Sequence, residues 1–262
     1  MSIRSSKLLL SRRPVSDDGV IAVVGLRRYG KSTHVIRLAN ASDRVIFYDT
    51  LNDDYNEGVV CRDWLDFKKL WLASYRGRFR ITYKPENPMY YFAEFCEMAF
   101  DCGNCTVVID EIQLYFRGSC CCPELTKLIT AGGHACVTVI GVTQMPKRLG
   151  EVLRSQAHEW HIFALREDAH VKYVAERCPG VDPVLIKTLP KYEYLHFVDG
   201  KEFYEHCKDD VNSEHIDCRR LEYEGSVTPT RRDADPDKHN DSLDPLECQS
   251  ADGSEGLPDS PG

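Results

Sequence analysis

The sequence predicts an α/β fold built on a mainly parallel sheet, and three observations predict it. From residue 19 to about 207, short apolar runs alternate with segments of helical apolar spacing. The runs are apolar at nearly every position, as in strands covered on both faces, rather than at every second one. Each run has the length of a strand, far below the roughly 20 apolar residues needed to span a bilayer.

The elements follow in order. Residues 1–18 are polar and basic, with Arg4, Lys7, Arg12 and Arg13, and read as an N-terminal arm. Lys7-Leu8-Leu9-Leu10-Ser11 is too short an apolar segment for a signal peptide and has no cleavage site. The predicted strands are Val20–Val24, Val45–Tyr48, Phe79–Tyr83, Thr106–Ile109 and Val137–Val142. Between them, apolar residues recur at helical spacing over Lys31–Ala39, Trp64–Tyr75, Met89–Phe100 and Pro123–Ala131. A helix over 147–155, a strand near Trp160–Leu165 and a helix near 168–177 come next. Tyr192–Val198 and Phe203–His206 then read as a hairpin turning at Asp199-Gly200. The expected domain is therefore 19–207, and no internal repeat is found.

The net charge is −8, and it is unevenly placed. Residues 208–262 hold 15 acidic and 6 basic side chains, so 1–207 is nearly neutral. Their Asp, Glu, Ser, Pro and Gly bury too little surface to offset ordering entropy, which predicts a disordered acidic tail. An acidic total charge thus does not argue against nucleic-acid binding by the domain. With no leader or membrane segment read, the expected compartment is cytosolic, where the twelve cysteines are expected as thiols.

Gly25-Leu26-Arg27-Arg28-Tyr29-Gly30-Lys31-Ser32, followed by Thr33, fits the phosphate-binding loop G-x-x-x-x-G-K-[ST]. It follows a predicted strand and opens a predicted helix, the context the motif requires. The glycines let backbone N–H groups turn inward on phosphate, and the helix adds its positive N-terminal end. Lys31 is expected at the β- and γ-phosphates and Ser32 on Mg²⁺. Thr106-Val107-Val108-Ile109 ends in Asp110 and Glu111. Asp110 is expected to support the Mg²⁺, and Glu111 to orient or deprotonate the attacking water. Gln144, at the end of the next strand, is a candidate γ-phosphate sensor. The chain has no Asn-Lys-x-Asp guanine-reading motif, so the expected nucleotide is ATP.

Taken in order, several segments resemble the FtsK–HerA superfamily of P-loop ATPases. They are the loop, Val107-Val108-Ile109-Asp110-Glu111, Gly132-Gly133-His134, Val139-Ile140-Gly141-Val142-Thr143-Gln144-Met145-Pro146 and Leu153-Arg154-Ser155-Gln156-Ala157. Within that superfamily the chain looks like the compact genome-packaging and morphogenesis ATPases of phages, over roughly residues 18–200. The resemblance implies an additional-strand, RecA-like P-loop core and a homo-oligomeric ring, usually a hexamer, with double-stranded DNA in its channel. It implies viral genome packaging in the host cytoplasm, virion association, and a capsid or portal-vertex partner. Arg154 then maps approximately onto a basic position able to reach a neighbouring subunit's nucleotide as a finger. Two departures stand out: Met145 where an arginine is common, and Arg27, Arg28 and Tyr29 where smaller residues are frequent. An alternative is an ATP-dependent virion-assembly or secretion factor, zonula-occludens-toxin-like, that does not move DNA. A nucleotide or nucleoside kinase is disfavoured by Glu111, by Thr143-Gln144 and by the lack of an Arg-rich lid.

Other constellations have blander readings. Cys102-Gly103-Asn104-Cys105 has zinc-ligand spacing and Cys120-Cys121-Cys122 is a cluster, but small buried thiols explain both. His158 and His161 lie near a strand, whose alternation places them on opposite faces, so they are not expected to share a metal. Met89-Tyr90-Tyr91-Phe92 with Phe95 reads as core packing before base stacking. Lys147, Arg148 and the arm are equally readable as phosphate contacts or solvated charge.

Overall fold

Ten strands form one sheet in the order β10-β9-β8-β7-β1-β6-β5-β2-β4-β3, in a computed structural model describing residues 19–52, 54–118, 120–201, 203–209 and 216–222. The parallel part holds β1 (Val20–Val24), β2 (Arg44–Tyr48), β3 (Val59–Cys61), β4 (Phe79–Tyr83), β5 (Cys105–Ile109), β6 (Val137–Thr143) and β7 (Ala157–Ile162). Beyond β7 the sheet turns antiparallel through β8 (Glu193–Val198), β9 (Phe203–Asp209) and β10 (Ile216–Glu222). Every residue of β1, β5 and β6 is buried, which is why these strands read as unbroken apolar runs.

The two faces of the sheet carry unequal layers. Val20, Ala22, Ile46, Tyr48, Ile81, Val107, Ile109 and Val139 face α2 (Trp64–Ser74), α3 (Phe92–Cys102) and α4 (Pro123–Ala131) in the larger core. α5 (Glu151–Gln156), α6 (Asp168–Arg177) and α7 (Pro183–Thr188) add Leu153, Val171, Val174 and Ile186 to it. Ile21, Val23, Val45, Phe47, Val108, Ile140 and Val142 face the other way, onto Val35 and Ala39 of α1 (Lys31–Ala39). The aromatic run resolves into core and surface: Phe92 and Phe95 are buried, Tyr91 stacks on Trp64 at 4.8 Å, and Met89 and Tyr90 are exposed.

Strand order matters more than count. β6 lies between β1, which feeds the loop, and β5, which ends at Asp110. This is the additional strand that the resemblance implies. It brings the end of β6 between the loop and the carboxylates, at the carboxyl edge where open α/β sheets bind ligands.

Several elements differ from the sequence expectation. The helix expected over 147–155 divides into a 3-10 turn at Pro146–Arg148 and α5, because Leu149-Gly150 is extended. The expected boundary at 207/208 falls inside β9, and β10 pairs with β9 beyond it. The reason is specific: Asp209, counted with the acidic tail, is fully buried against His34 and Arg37. The arm 1–18 and the tail after 222 lie outside the described residues. Among the described residues nine cysteines are free thiols, but Cys207 is disulfide-bonded, against the expectation of thiols throughout. Among the described residues, no helix is long and apolar enough to cross a membrane.

Candidate nucleotide site

The start of the loop is fixed by backbone bonds to the chain at or just past the ends of the two strands that flank β1. Gly25 N–H donates to the Thr143 carbonyl at 3.2 Å, and Leu26 N–H to the Ala164 carbonyl at 2.9 Å. Gly30 precedes α1 with φ at 104°, a conformation that disfavours a side chain. A Cβ there would also meet the Tyr192 ring at 2.7 Å. Lys31 follows at the first turn of α1, 8% exposed, its Nζ donating to the Leu26 carbonyl at 2.8 Å. Burial lowers the Lys31 ammonium from its usual value, while Glu111, Asp110 and Asp54 oppose that shift.

Asp110 and Glu111 leave β5 in different directions because Glu111 adopts a left-handed conformation, φ 44°. Such a conformation is uncommon for a non-glycine residue, and residues in it cluster at active sites and switch regions. Thr50 Oγ1 donates to the Asp110 carbonyl at 2.6 Å and fixes the backbone. Glu111 is then clasped from two sides: Gln144 Nε2 donates to its Oε1, and Gln113 Nε2 to its Oε2 at 2.5 Å. Gln144 is aimed by its own turn, in which Met145 N–H donates to Thr143 Oγ1 at 2.9 Å.

Arg27, Arg28, Gly30, Lys31, Ser32, Thr33, Asp54, Asp110, Glu111, Gln144 and Tyr192 line one cleft of about 290 Å³. The sequence-predicted loop, carboxylates and Gln144 therefore converge. Arg27 and Arg28 are both exposed at its mouth. Arg154 is elsewhere, on α5, 5.8 Å from the Tyr173 ring centroid, with its carbonyl accepting from Arg177 Nε.

The acidic end of the cleft fits a divalent cation. Asp110 is 2% exposed, and its Oδ2 is buried without a hydrogen-bond partner. Burial, then Glu111, Asp54 and Asp49, push its carboxyl up to about 8. Negative charge so concentrated is what a bound cation offsets. Ser32 and Asp110 supply the hard oxygen atoms such an ion takes.

Sequence reasoning missed four contributors. Gln113 lies two residues past Glu111, in the 3-10 turn Ile112–Tyr115 that follows β5. Asp49 is fully buried at the end of β2 and pairs with Lys84 at 3.1 Å, a contact set by strand order. Asp54 enters from the loop after β2. Tyr192 reaches the loop from the segment before β8, its N–H donating to the Tyr29 carbonyl at 3.0 Å. The cysteine motifs form no cluster of three or more ligands among the described residues. Arg44 Nη2 instead donates to Cys102 Sγ at 3.1 Å. The Cys105 thiol donates to Cys102 and, against burial, holds it down to about 6.

The chain is similar in structure to the genome packaging NTPase B204 from Sulfolobus turreted icosahedral virus 2 in complex with ATP-gammaS. The TM-score is 0.56 at 19% identity, over 77% of this chain and 96% of that one. B204, the DNA-packaging ATPase from Sulfolobus turreted icosahedral virus, gives a TM-score of 0.52 at 19% identity, over 77% and 97%. VirB4 of Thermoanaerobacter pseudethanolicus gives 0.50 at 9% identity, over 72% and 89%. No protein-family model and no curated protein sequence matches the chain. The likeness is one of fold, a mainly parallel α/β sheet in which β6 stands between β1 and β5.

Proposed function

We propose that the chain hydrolyses ATP and uses the energy to move double-stranded DNA, packaging a viral genome. One observation carries the hydrolytic part. Glu111 turns into the phosphate cleft on a left-handed residue, where Gln113 and Gln144 hold its two oxygens. A carboxylate so placed and oriented suits a water-activating base.

The residues divide the work. The loop amides from Gly25 to Thr33 wrap the phosphates, and Lys31 leaves the Leu26 carbonyl to meet the β- and γ-phosphates. Ser32 and Asp110 would hold Mg²⁺, which would supply positive charge to offset that developing on the phosphates. Glu111 accepts the proton of the attacking water. Gln144 bridges Glu111 and the γ-phosphate, so the base is placed differently with ATP and with ADP. The cleft, about 290 Å³, is small for a ligand pocket and suited to the polyphosphate, with exposed Arg27 and Arg28 at its rim. A neighbouring subunit in a ring, most simply a hexamer, completes that rim and brings Arg154 in trans as the finger.

The packaging role is supported by likeness to the B204 fold, named for genome packaging. A capsid or portal-vertex partner belongs to the same proposal. The test is ATP turnover by the full chain with and without double-stranded DNA, with Glu111→Gln as control. The proposal expects DNA to raise turnover several-fold and the control to abolish it. Turnover indifferent to DNA would remove translocation and favour an assembly or secretion factor working from the same site.

A further inference from the structure

A second group of chemistry-bearing side chains lies on the α1 face of the sheet, away from the cleft, and strand register assembles it. Glu159 and His161 are two residues apart in β7 and so point to one face. His161 stands opposite His196 of β8, and His196 opposite Glu205 of β9. Glu159 Oε1 lies 2.9 Å from His161 Nε2 and 2.9 Å from His196 Nε2. The two imidazoles stack with centroids 4.6 Å apart at 11°. One ligand atom from each of the three residues lies within 4.8 Å of the others.

We propose that Glu159, His161 and His196 form a binding site for one transition-metal ion, with Zn²⁺ the best-matched occupant. Two imidazole nitrogens and one carboxylate oxygen are a zinc donor set, too poor in oxygen for Mg²⁺ or Ca²⁺. Ligands about 2.0–2.2 Å from a tetrahedral ion stand about 3.3–3.6 Å apart, so Glu159 and each histidine need to separate by about half an ångström, and the two histidine nitrogens, within 4.8 Å of each other, need to take the same spacing. Water completes the fourth position, since the Glu159 and His196 side chains keep 12% and 15% of their exposure while His161 keeps 3%.

The surrounding groups hold the ligands as a metal site requires. A metal-binding histidine characteristically bonds through its other nitrogen to a carboxylate or similar group, which fixes ring and tautomer. His196 Nδ1 faces Glu205 Oε2 at 3.3 Å. His161 Nδ1 faces His34 Nε2 at 2.9 Å, and His34 Nδ1 faces Asp209 Oδ2 at 3.2 Å. Both ligand rings thus present Nε2 to Glu159. His34 comes from α1 and Asp209 from β9, so the ion ties the helix behind the loop to the antiparallel extension.

The probe is Co²⁺, added to the full-length, untagged, chelator-stripped protein and followed by visible absorption, then displaced by Zn²⁺. The expected result is one equivalent of Co²⁺ with ligand-field bands but no sulfur-to-metal charge transfer, and a raised melting temperature. Glu159→Gln and His196→Asn are each expected to weaken binding tenfold or more. Cys102→Ser and His206→Asn, the latter in a separate pair with Glu193, are expected to leave it unchanged. Circular dichroism and melting of the metal-free variants establish that each folds. The proposal is overturned if neither ion saturates the folded protein below about 100 µM, or if binding follows the cysteine substitution. The six groups would then be a hydrogen-bonded proton network alone.

Discussion

The nucleotide cleft and the histidine cluster sit on one fold and are built in opposite ways. The cleft is assembled chiefly from short contiguous motifs that lie far apart in the chain: an eight-residue loop, two adjacent carboxylates and one strand end. The cluster is assembled from β7, β8, β9 and α1, with no two of its residues closer than Glu159 and His161. Phosphate binding by main-chain N–H groups requires a fixed local loop, and therefore leaves a motif. A side-chain network across strands requires only register, which no short pattern records. Substitutions in the cleft should therefore act on chemistry, and substitutions in the cluster on stability.

The largest effect expected is catalytic. Glu111→Gln should lower ATP turnover by about 10²–10⁴ while the melting temperature stays near that of the parent. A comparable loss of turnover from Glu159→Gln would break the comparison. Next comes Asp209→Ala, which removes the buried partner of His34 and Arg37. It should cost about 3 kcal/mol in chemical denaturation with nucleotide affinity kept. An effect under about 0.5 kcal/mol would mean that residue 209 behaves as tail.

A smaller effect is expected at Gln113. Hydrogen bonds to charged groups contribute about 1.5–3 kcal/mol, so Gln113→Ala should slow turnover roughly tenfold or more and leave nucleotide binding alone, read by stopped-flow binding beside steady-state kinetics. The smallest is a gain. The Asp110 carboxyl rises from 3.8 to about 8 on folding. Between those values the unfolded chain is ionised while the ligand-free fold keeps the proton, so stability falls as pH rises through that window. Asp110→Asn should remove this slope and melt a few degrees higher than the parent at pH 8, but not at pH 4.5, while losing stabilisation by Mg²⁺-ATP.

The sheet was legible where burial is two-sided. β1, β4 and β5 match the apolar runs to within a residue, and α6 matches its predicted span. β3 was missed because two of its three residues are exposed and it is an edge strand. α7 was missed despite a start signal: Asp182 caps it by accepting from Val184 N–H, and Pro183 opens it. The run of acidic residues hid the end of β9, since Asp209 reads as solvated until His34 and Arg37 are placed beside it. In the cleft, Lys31, Ser32, Asp110, Glu111 and Gln144 were visible because motif order implies strand order. Tyr192 and Asp49 were not, because the turn before β8 brings Tyr192 to the loop and the pairing of β2 with β5 sets buried Asp49 near Asp110. His161 was noticed for its spacing from His158, which strand alternation makes irrelevant. Its actual neighbour, Glu159, lay two residues away on the same face.

The central claim is that nucleotide binding and water activation are separate duties of Lys31 and Glu111 in one cleft. The most direct measurement is Mg²⁺-ATP binding and single-turnover phosphate release on the same preparations of the parent, Lys31→Ala and Glu111→Gln proteins. The account predicts that Lys31→Ala loses binding and release together, while Glu111→Gln binds ATP with near-parental affinity and releases almost no phosphate. Phosphate release by Glu111→Gln at the parental rate would contradict it.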